Sequence, residues 1–189
     1  MTRFFRCLSA FVVVILLVSP TVWGQSRSGT LQMIGVPPDV QGGSYDSSSG
    51  VFTADVSDIP EAYIQVTFDD LRITGQELEW HTKDEQLTFS QSVKVWREDL
   101  ELDADWLHYD SAAEIMTARG AVKVTTEDAV IYADELVYSE ETDEALFTGN
   151  VIVDFEDGEL KGEKFLLRVE EKTMQFFGPF QGTFQSNSK

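Results

Sequence analysis

The sequence predicts an all-β fold built by stacking one short unit on copies of itself. Three observations carry this. First, a 29-residue repeat runs without a gap through the C-terminal two-thirds: Ile64-Gln65-Val66, Val93-Lys94-Val95, Val122-Lys123-Val124 and Val151-Ile152-Val153 each begin a copy, and a fifth begins at Phe180. A fixed period of this length means one supersecondary unit that buries its apolar face against its neighbours. Second, apolar residues alternate at period two inside each copy, as in Val93-x-Val95, Leu100-x-Leu102-x-Ala104, Leu107-x-Tyr109 and Met116-x-Ala118, the signature of strands with one buried face. Third, turn residues fall at the same places in every copy, and nothing carries the 3.6-residue period of a long amphipathic helix.

Taken in order, residues 1–24 read as a secretory signal peptide. Arg3 and Arg6 precede an apolar run from Phe11 to Val18, then Pro20, with Val22-Trp23-Gly24 suited to cleavage before Gln25. The run is short for a spanning helix, which needs about 20 apolar residues. Cys7, the single cysteine, leaves with this segment, which excludes disulfides, thiol catalysis and cysteine metal sites from the remainder. Residues 25–60 form a segment rich in glycine, serine and proline. Gly35-Val36-Pro37-Pro38 and the stretch from Gly42 to Gly50 have loop composition. Leu31-Gln32-Met33-Ile34 and Val51-Phe52-Thr53-Ala54 suit short strands, at least one of them pairing onto the first repeat. Residues 61–184 are the repeat domain, and 185–189 a polar tail.

Within each copy, small residues stand at Gly75, Ala104, Ala133 and Gly162, followed by Leu78, Leu107, Leu136 and Phe165, then Trp80, Tyr109, Tyr138 and Leu167. The alternation slips by one residue between Ala104 and Leu107, and at the equivalent places further on. A slip at a small residue predicts a bulge or corner, where the strand bends and keeps its apolar face inward. Turns are expected at Asp69-Asp70, Glu98-Asp99, Glu127-Asp128 and Glu156-Asp157, and at Asp110-Ser111-Ala112-Ala113 and Ser139-Glu140-Glu141-Thr142-Asp143. Copies end in Gly120, Gly149 and Gly178, where the first has Gln91. The inward positions make one apolar interior, and two architectures fit it: a closed solenoid filled by its own side chains, or two sheets folded against each other with a groove between.

The chain carries 33 Asp and Glu against 14 Lys and Arg, a net charge of −19. Such a surface repels nucleic acid and argues against it as a partner. At 42% hydrophobic and 12% aromatic residues, periodically placed, the chain is not an acidic disordered segment.

One copy, Gly120-Ala121-Val122-Lys123-Val124, then Ile131-Tyr132-Ala133-Asp134-Glu135-Leu136-Val137-Tyr138, then Leu146-Phe147-Thr148-Gly149-Asn150-Val151, resembles the OstA-like repeat of the LptA family of lipopolysaccharide-transport periplasmic proteins. Leu160-Lys161-Gly162-Glu163-Lys164-Phe165, continuing to Glu171-Lys172-Thr173-Met174-Gln175, resembles that family's last full repeat. The resemblance covers about residues 60–184. It implies a half-open β-jelly roll of four repeats that shields lipid A acyl chains in its interior, without enzymatic activity or cofactor. It also implies head-to-tail homo-oligomers. The implied partners are an inner-membrane anchored LptC-like protein and an outer-membrane LptD-like receptor. The same repeat occurs in the LptC-like partner, and the leader favours the soluble bridge protein over it. A structural β-repeat assembly without lipid is the third reading.

On these grounds Leu102, Leu107, Ile131, Leu136, Phe147, Leu160 and Phe165 are the candidate lipid-contacting residues. Phe176, Phe177, Phe180 and Phe184 are the candidate assembly edge, with an N-terminal edge within about residues 31–57. Pro179 cannot donate to a ladder and is expected to limit pairing there. The recurring Asp70, Asp99, Asp128 and Asp157 suggest calcium, but the loops lack the glycine-rich calcium-roll pattern, and a solvated acidic ridge is the stronger reading; no metal is expected. His81 and His108 lack a catalytic spacing. Trp80, Trp96, Trp106, Tyr109 and Tyr138 suit core and strand-rim positions better than a sugar-binding face.

Overall fold

The computed structural model describes residues 29–68, 71–97 and 100–185. Residues 1–28, which include the expected signal peptide, residues 186–189 and the acidic pairs at 69–70 and 98–99 lie outside the described residues. Thirteen strands and no helix make up the described chain: β1 (Gly29–Ile34), β2 (Gly43–Asp46), β3 (Val51–Asp55), β4 (Tyr63–Phe68), β5 (Leu71–Gly75), β6 (Glu77–His81), β7 (Gln86–Arg97), β8 (Leu100–Asp110), β9 (Ile115–Thr125), β10 (Ala129–Ser139), β11 (Glu144–Phe155), β12 (Gly158–Arg168) and β13 (Thr173–Phe184). Every pairing is antiparallel, and β7 to β13 follow one another as neighbours.

Each of these seven long strands is bent at its middle, and the bend divides the sheet into two leaves. In β7, residues 86–90 pair with β6, while 94–97 pair with β5. The first leaf therefore continues through β6, β3 and β2, and the second through β5, β4 and β1. The ladder shifts register between Asp103 and Trp106, Ala133 and Glu135, and Gly162 and Lys164. These are the places where the alternation slips in the sequence. The facing corners lie at Gln91-Ser92, Gly120-Ala121 and Gly149-Asn150, all with positive φ. The copy-terminal glycines thus mark a second corner, unread in the sequence as such. Left-handed backbone costs a non-glycine residue about 1–2 kcal/mol, and Gln91 (φ 61°) accepts it.

The two corners interlock. A Cβ on Gly120 would lie 2.8 Å from the Cβ of Asp105, and one on Gly149 would lie 2.9 Å from that of Asp134. Asn150 donates its amide to Asp134 Oδ2 at 2.8 Å. The A-D-x-L and T-G-N-V motifs are therefore two halves of one bend. Hairpins at the free strand ends close through a left-handed residue at Glu85, Glu114, Asp143 and Lys172, spaced at the repeat period.

The two leaves close on a single apolar core from Ala54 to Leu167. The N-terminal segment contributes three strands, since Gly43–Asp46, read from its composition as loop, pairs with β3. Its side chains Ser44 and Thr53 hydrogen-bond across the pair, and a serine-rich turn follows. Pro179 does not end the last ladder: pairing resumes at Phe180 opposite Gly162 and runs to Phe184 opposite Gly158. The proline falls at the corner, where the ladder is interrupted anyway, so its missing N–H costs no bond.

Candidate functional site

The interior is the site the sequence pointed to, and its character changes along the stack. Leu102, Leu107, Ile131, Leu136, Phe147 and Phe165 all point inward and are buried. The interior of the middle copies is occupied by these buried side chains themselves. Leu160 is only partly buried, because the strand beside it is the last one and offers Gly182 opposite it.

Beyond Phe165 the roll opens. An aromatic series runs outward from the core: Phe147 to Phe165 at 5.7 Å between centroids, Phe165 to Phe176 at 4.7 Å, and Phe176 to Phe180 at 5.4 Å. Phe176 and Phe180 occupy inward positions of β13, as does Phe184, which lies 6.4 Å from Phe155. Yet Phe180 is 60% exposed and Phe184 58%. Phe177 differs: it faces outward, paired with Lys164, whose ammonium lies 5.2 Å over its ring. The four phenylalanines grouped in the sequence thus fall on two faces.

Among the described residues β13 is also a free edge, and Thr173–Phe184 contains no charged residue. At the other end β1 is, among the described residues, a free edge of the second leaf, and Gly29–Ile34 is likewise uncharged. Edge strands that stay monomeric are usually protected by charge, in particular lysine. Both termini of the second leaf lack that protection.

Opposite the corners, the hairpin ends of the two leaves meet and form a mouth. At its N-terminal part Phe68 of the second leaf packs on Trp80 and Tyr109 of the first, each at 6.0 Å. The buried Tyr109 donates its hydroxyl to Glu140 at 3.0 Å. One copy further, Arg97 Nη1 donates to Tyr138 Oη at 3.2 Å, and Tyr138 donates to Asp143 Oδ1 at 3.1 Å. Burial pushes the Tyr138 hydroxyl pKa up, against the opposing pull of the Arg97 charge. Asp143 also receives the backbone N–H of Glu170 at 2.6 Å. Next, Lys172 reaches across to Asp128 at 3.5 Å and Glu127 at 3.9 Å. The acidic turn at 127–128 is thus one half of an ion pair across the mouth.

Among the described residues no group of three or more His, Cys, Asp or Glu is placed to hold a metal. His81 contacts Glu79 at 2.6 Å and His108 contacts Thr88 at 3.0 Å. Trp106 stacks on His108 and beneath Arg119 on the outer face, and Trp96 lies under Arg72 at 4.2 Å. Lys94, whose pKa is raised by its hydrogen bond to Asp103, is on the same outer face.

An open roll of bent antiparallel strands with an apolar interior and two uncharged terminal edges defines the class of half-open β-jelly rolls. Residues 72–173, more than half the chain, match the family described as LptA/(LptD N-terminal domain) LPS transport protein, and the chain belongs to that family. The fold is similar to that of LptH from Pseudomonas aeruginosa, the LptA-homologous periplasmic component of that organism's lipopolysaccharide transport device. The TM-score is 0.55 at 15% identity, covering 61% of this chain and 95% of that one. No curated protein sequence matches the chain.

Proposed function

We propose that this chain is a periplasmic carrier that shields lipopolysaccharide acyl chains in its apolar interior on their way from the inner to the outer membrane. The observation that supports this most is the open C-terminal end. Inward-facing Phe176, Phe180 and Phe184 continue the core series of Phe147 and Phe165 into solvent. Burying acyl carbon is worth about 0.8 kcal/mol per CH₂, so a dozen carbons supply on the order of 9 kcal/mol. Repulsion between lipid phosphates and the acidic surface is screened beyond about 8 Å at physiological salt. Leu160 and Phe165 are the proposed first contacts, and Leu102, Leu107, Ile131, Leu136 and Phe147 the proposed contacts reached only as the leaves part.

The uncharged edges β13 and β1 are proposed to join copies head to tail. In the same reading they dock an LptC-like anchored partner at one end and an LptD-like receptor at the other. Strand addition satisfies the backbone groups of both edges without demanding a particular sequence.

Site-specific photocrosslinking tests the carrier. Capture of lipopolysaccharide from Phe165 and Leu160, and none from the outward-facing Glu135 or Thr125, is expected; the reverse pattern would sink it. Sedimentation across a concentration series tests assembly. Deleting 176–189 should abolish association and leave the middle copies folded, since stacked repeats depend mainly on their neighbours.

The tight packing of Leu102, Leu107 and Ile131 favours a second reading, an assembly module that carries no lipid. Lipid extraction from the purified protein followed by mass spectrometry separates the two.

A further inference from the structure

If the interior takes up an acylated ligand, the leaves must part, because the middle copies are already filled. They are joined by continuous strands at the corners, so parting begins at the mouth. The contacts across the mouth are not equal. The sequence separations are nearly constant, since Phe68 meets Tyr109, Arg97 meets Tyr138, and Lys172 meets Asp128. The chemistry at each rung changes.

The N-terminal rung is an aromatic contact sealed by the buried ring of Tyr109. The middle rung is a relay from guanidinium to phenol to carboxylate, all half-buried and all within hydrogen-bond distance. Its Asp143 is fixed by a backbone N–H of the next hairpin. The C-terminal rung is a long ion pair whose side chains are more than half exposed; such pairs hold little against solvent and salt. The rung after that is Phe155 against the exposed Phe184, both in the second leaf, with nothing from the first leaf across from them among the described contacts.

We propose that the mouth opens stepwise from its C-terminal end, and that the Arg97–Tyr138–Asp143 bridge is the gate deciding whether an acylated anionic lipid reaches the N-terminal half of the interior. The inference rests on the carrier reading. Ligand entering beside Phe180 and Phe184 meets the exposed Lys172 pair first and parts it readily. It then meets Arg97, a charged group at an inward register position, following Val93 and Val95 along β7. Passage requires Arg97 to leave Tyr138. A guanidinium is well suited to exchange the Tyr138 phenol for the phosphate of a lipid headgroup, because its planar fork takes phosphate in two parallel hydrogen bonds. Arg97, Tyr138 and Asp143 are therefore positioning residues for the lipid path.

Amide hydrogen exchange on the lipid-free full-length protein tests the gate without ligand. In Tyr138→Phe and Arg97→Gln, amides of the hairpin at 139–144 should exchange roughly tenfold faster, with the corners at Gly120 and Gly149 unchanged. Unchanged hairpin exchange overturns the gate, and so does acceleration everywhere, which would mark a plain loss of stability. With purified lipopolysaccharide as probe, a diazirine-bearing aliphatic residue at Phe165 should capture lipid in the wild-type chain, and one at Leu107 little. Arg97→Gln should raise capture at Leu107 about fivefold and leave Phe165 unchanged. Equal capture at both sites in the wild-type chain overturns the gate. Capture at neither site overturns the carrier reading instead, while the exchange experiment still decides whether the mouth is latched there.

Discussion

The corner at Gly149 and the corner at Gly178 share a backbone conformation and little else. At Gly149 the left-handed glycine lies against Asp134, and Asn150 ties that carboxylate down. At Gly178 the φ is again positive, but no atom beyond its own chain neighbours lies within 4 Å of where a Cβ would stand. The residue before the second half-strand is there a proline. The difference teaches that a copy's residues set its bend, while a neighbour on the far side sets its packing. The middle copies have neighbours on both sides; β13 has one. The same contrast holds for phenylalanine, buried at 147 and 165 and exposed at 180 and 184.

The largest break in this comparison comes from charge. Leu136→Asp places an unpaired carboxylate among Leu107, Ala118 and Phe147, and should destabilise by about 4 kcal/mol or more. Phe184→Asp should change stability by about 0.5 kcal/mol or less, as exposed substitutions do. Urea unfolding of both reads the contrast directly; similar midpoints would mean the C-terminal end is closed in solution.

Glycine substitution sharpens it. Gly149→Ala and Gly178→Ala both incur the left-handed backbone cost of about 1–2 kcal/mol. Only Gly149→Ala must also displace Asp134 and break its bond to Asn150, at about 1 kcal/mol more. Equal losses in thermal unfolding would remove the interlock between the two corners.

A smaller effect of opposite sign is expected at the first corner. Gln91→Gly relieves a left-handed non-glycine residue and should stabilise by about 0.5–1 kcal/mol, offset in part by unfolded-state entropy. A loss of stability would show that the exposed bond from Gln91 to Glu77 matters more than backbone strain.

The smallest effect is local and pH-dependent. In the turn after β2, the hydroxyl and N–H of Ser48 hold the Asp46 carboxyl down to about 2, from an ordinary 3.8. Because the folded value is the lower one, the turn is supported in full above pH 3.8 and loses that support as pH falls toward 2. Protection of the amides at 47–50, relative to the exchange of an unstructured chain at the same pH, should fall over that window in the wild-type protein. Asp46→Asn should flatten the response, and a wild-type response unaltered in the variant would assign it to another group.

Much of the fold was legible before any coordinates. The period, the inward positions and the first corner all follow from alternation, since side chains on a strand must face alternate sides. The second corner was visible only as a recurring glycine, because a glycine's φ is written in its neighbours' geometry. β2 was hidden by Gly, Ser and Asp, whose preference for turns is overridden when a paired strand supplies the hydrogen bonds. The mouth was the least legible part. Arg97 and Tyr138 belong to different copies and different leaves, and the alternation within a copy does not say which leaf-end residues face each other across the mouth.

The sequence by itself determined that this chain would bend at fixed intervals into strands with one apolar face, because that information is local and repeats. Only the tertiary structure decided which apolar residues are sealed and which remain open. That depends on whether another strand stands beside them and on which polar groups meet across the mouth. Phe165 and Phe180 are the same residue, and they differ in burial because β12 lies inside the stack and β13 ends it.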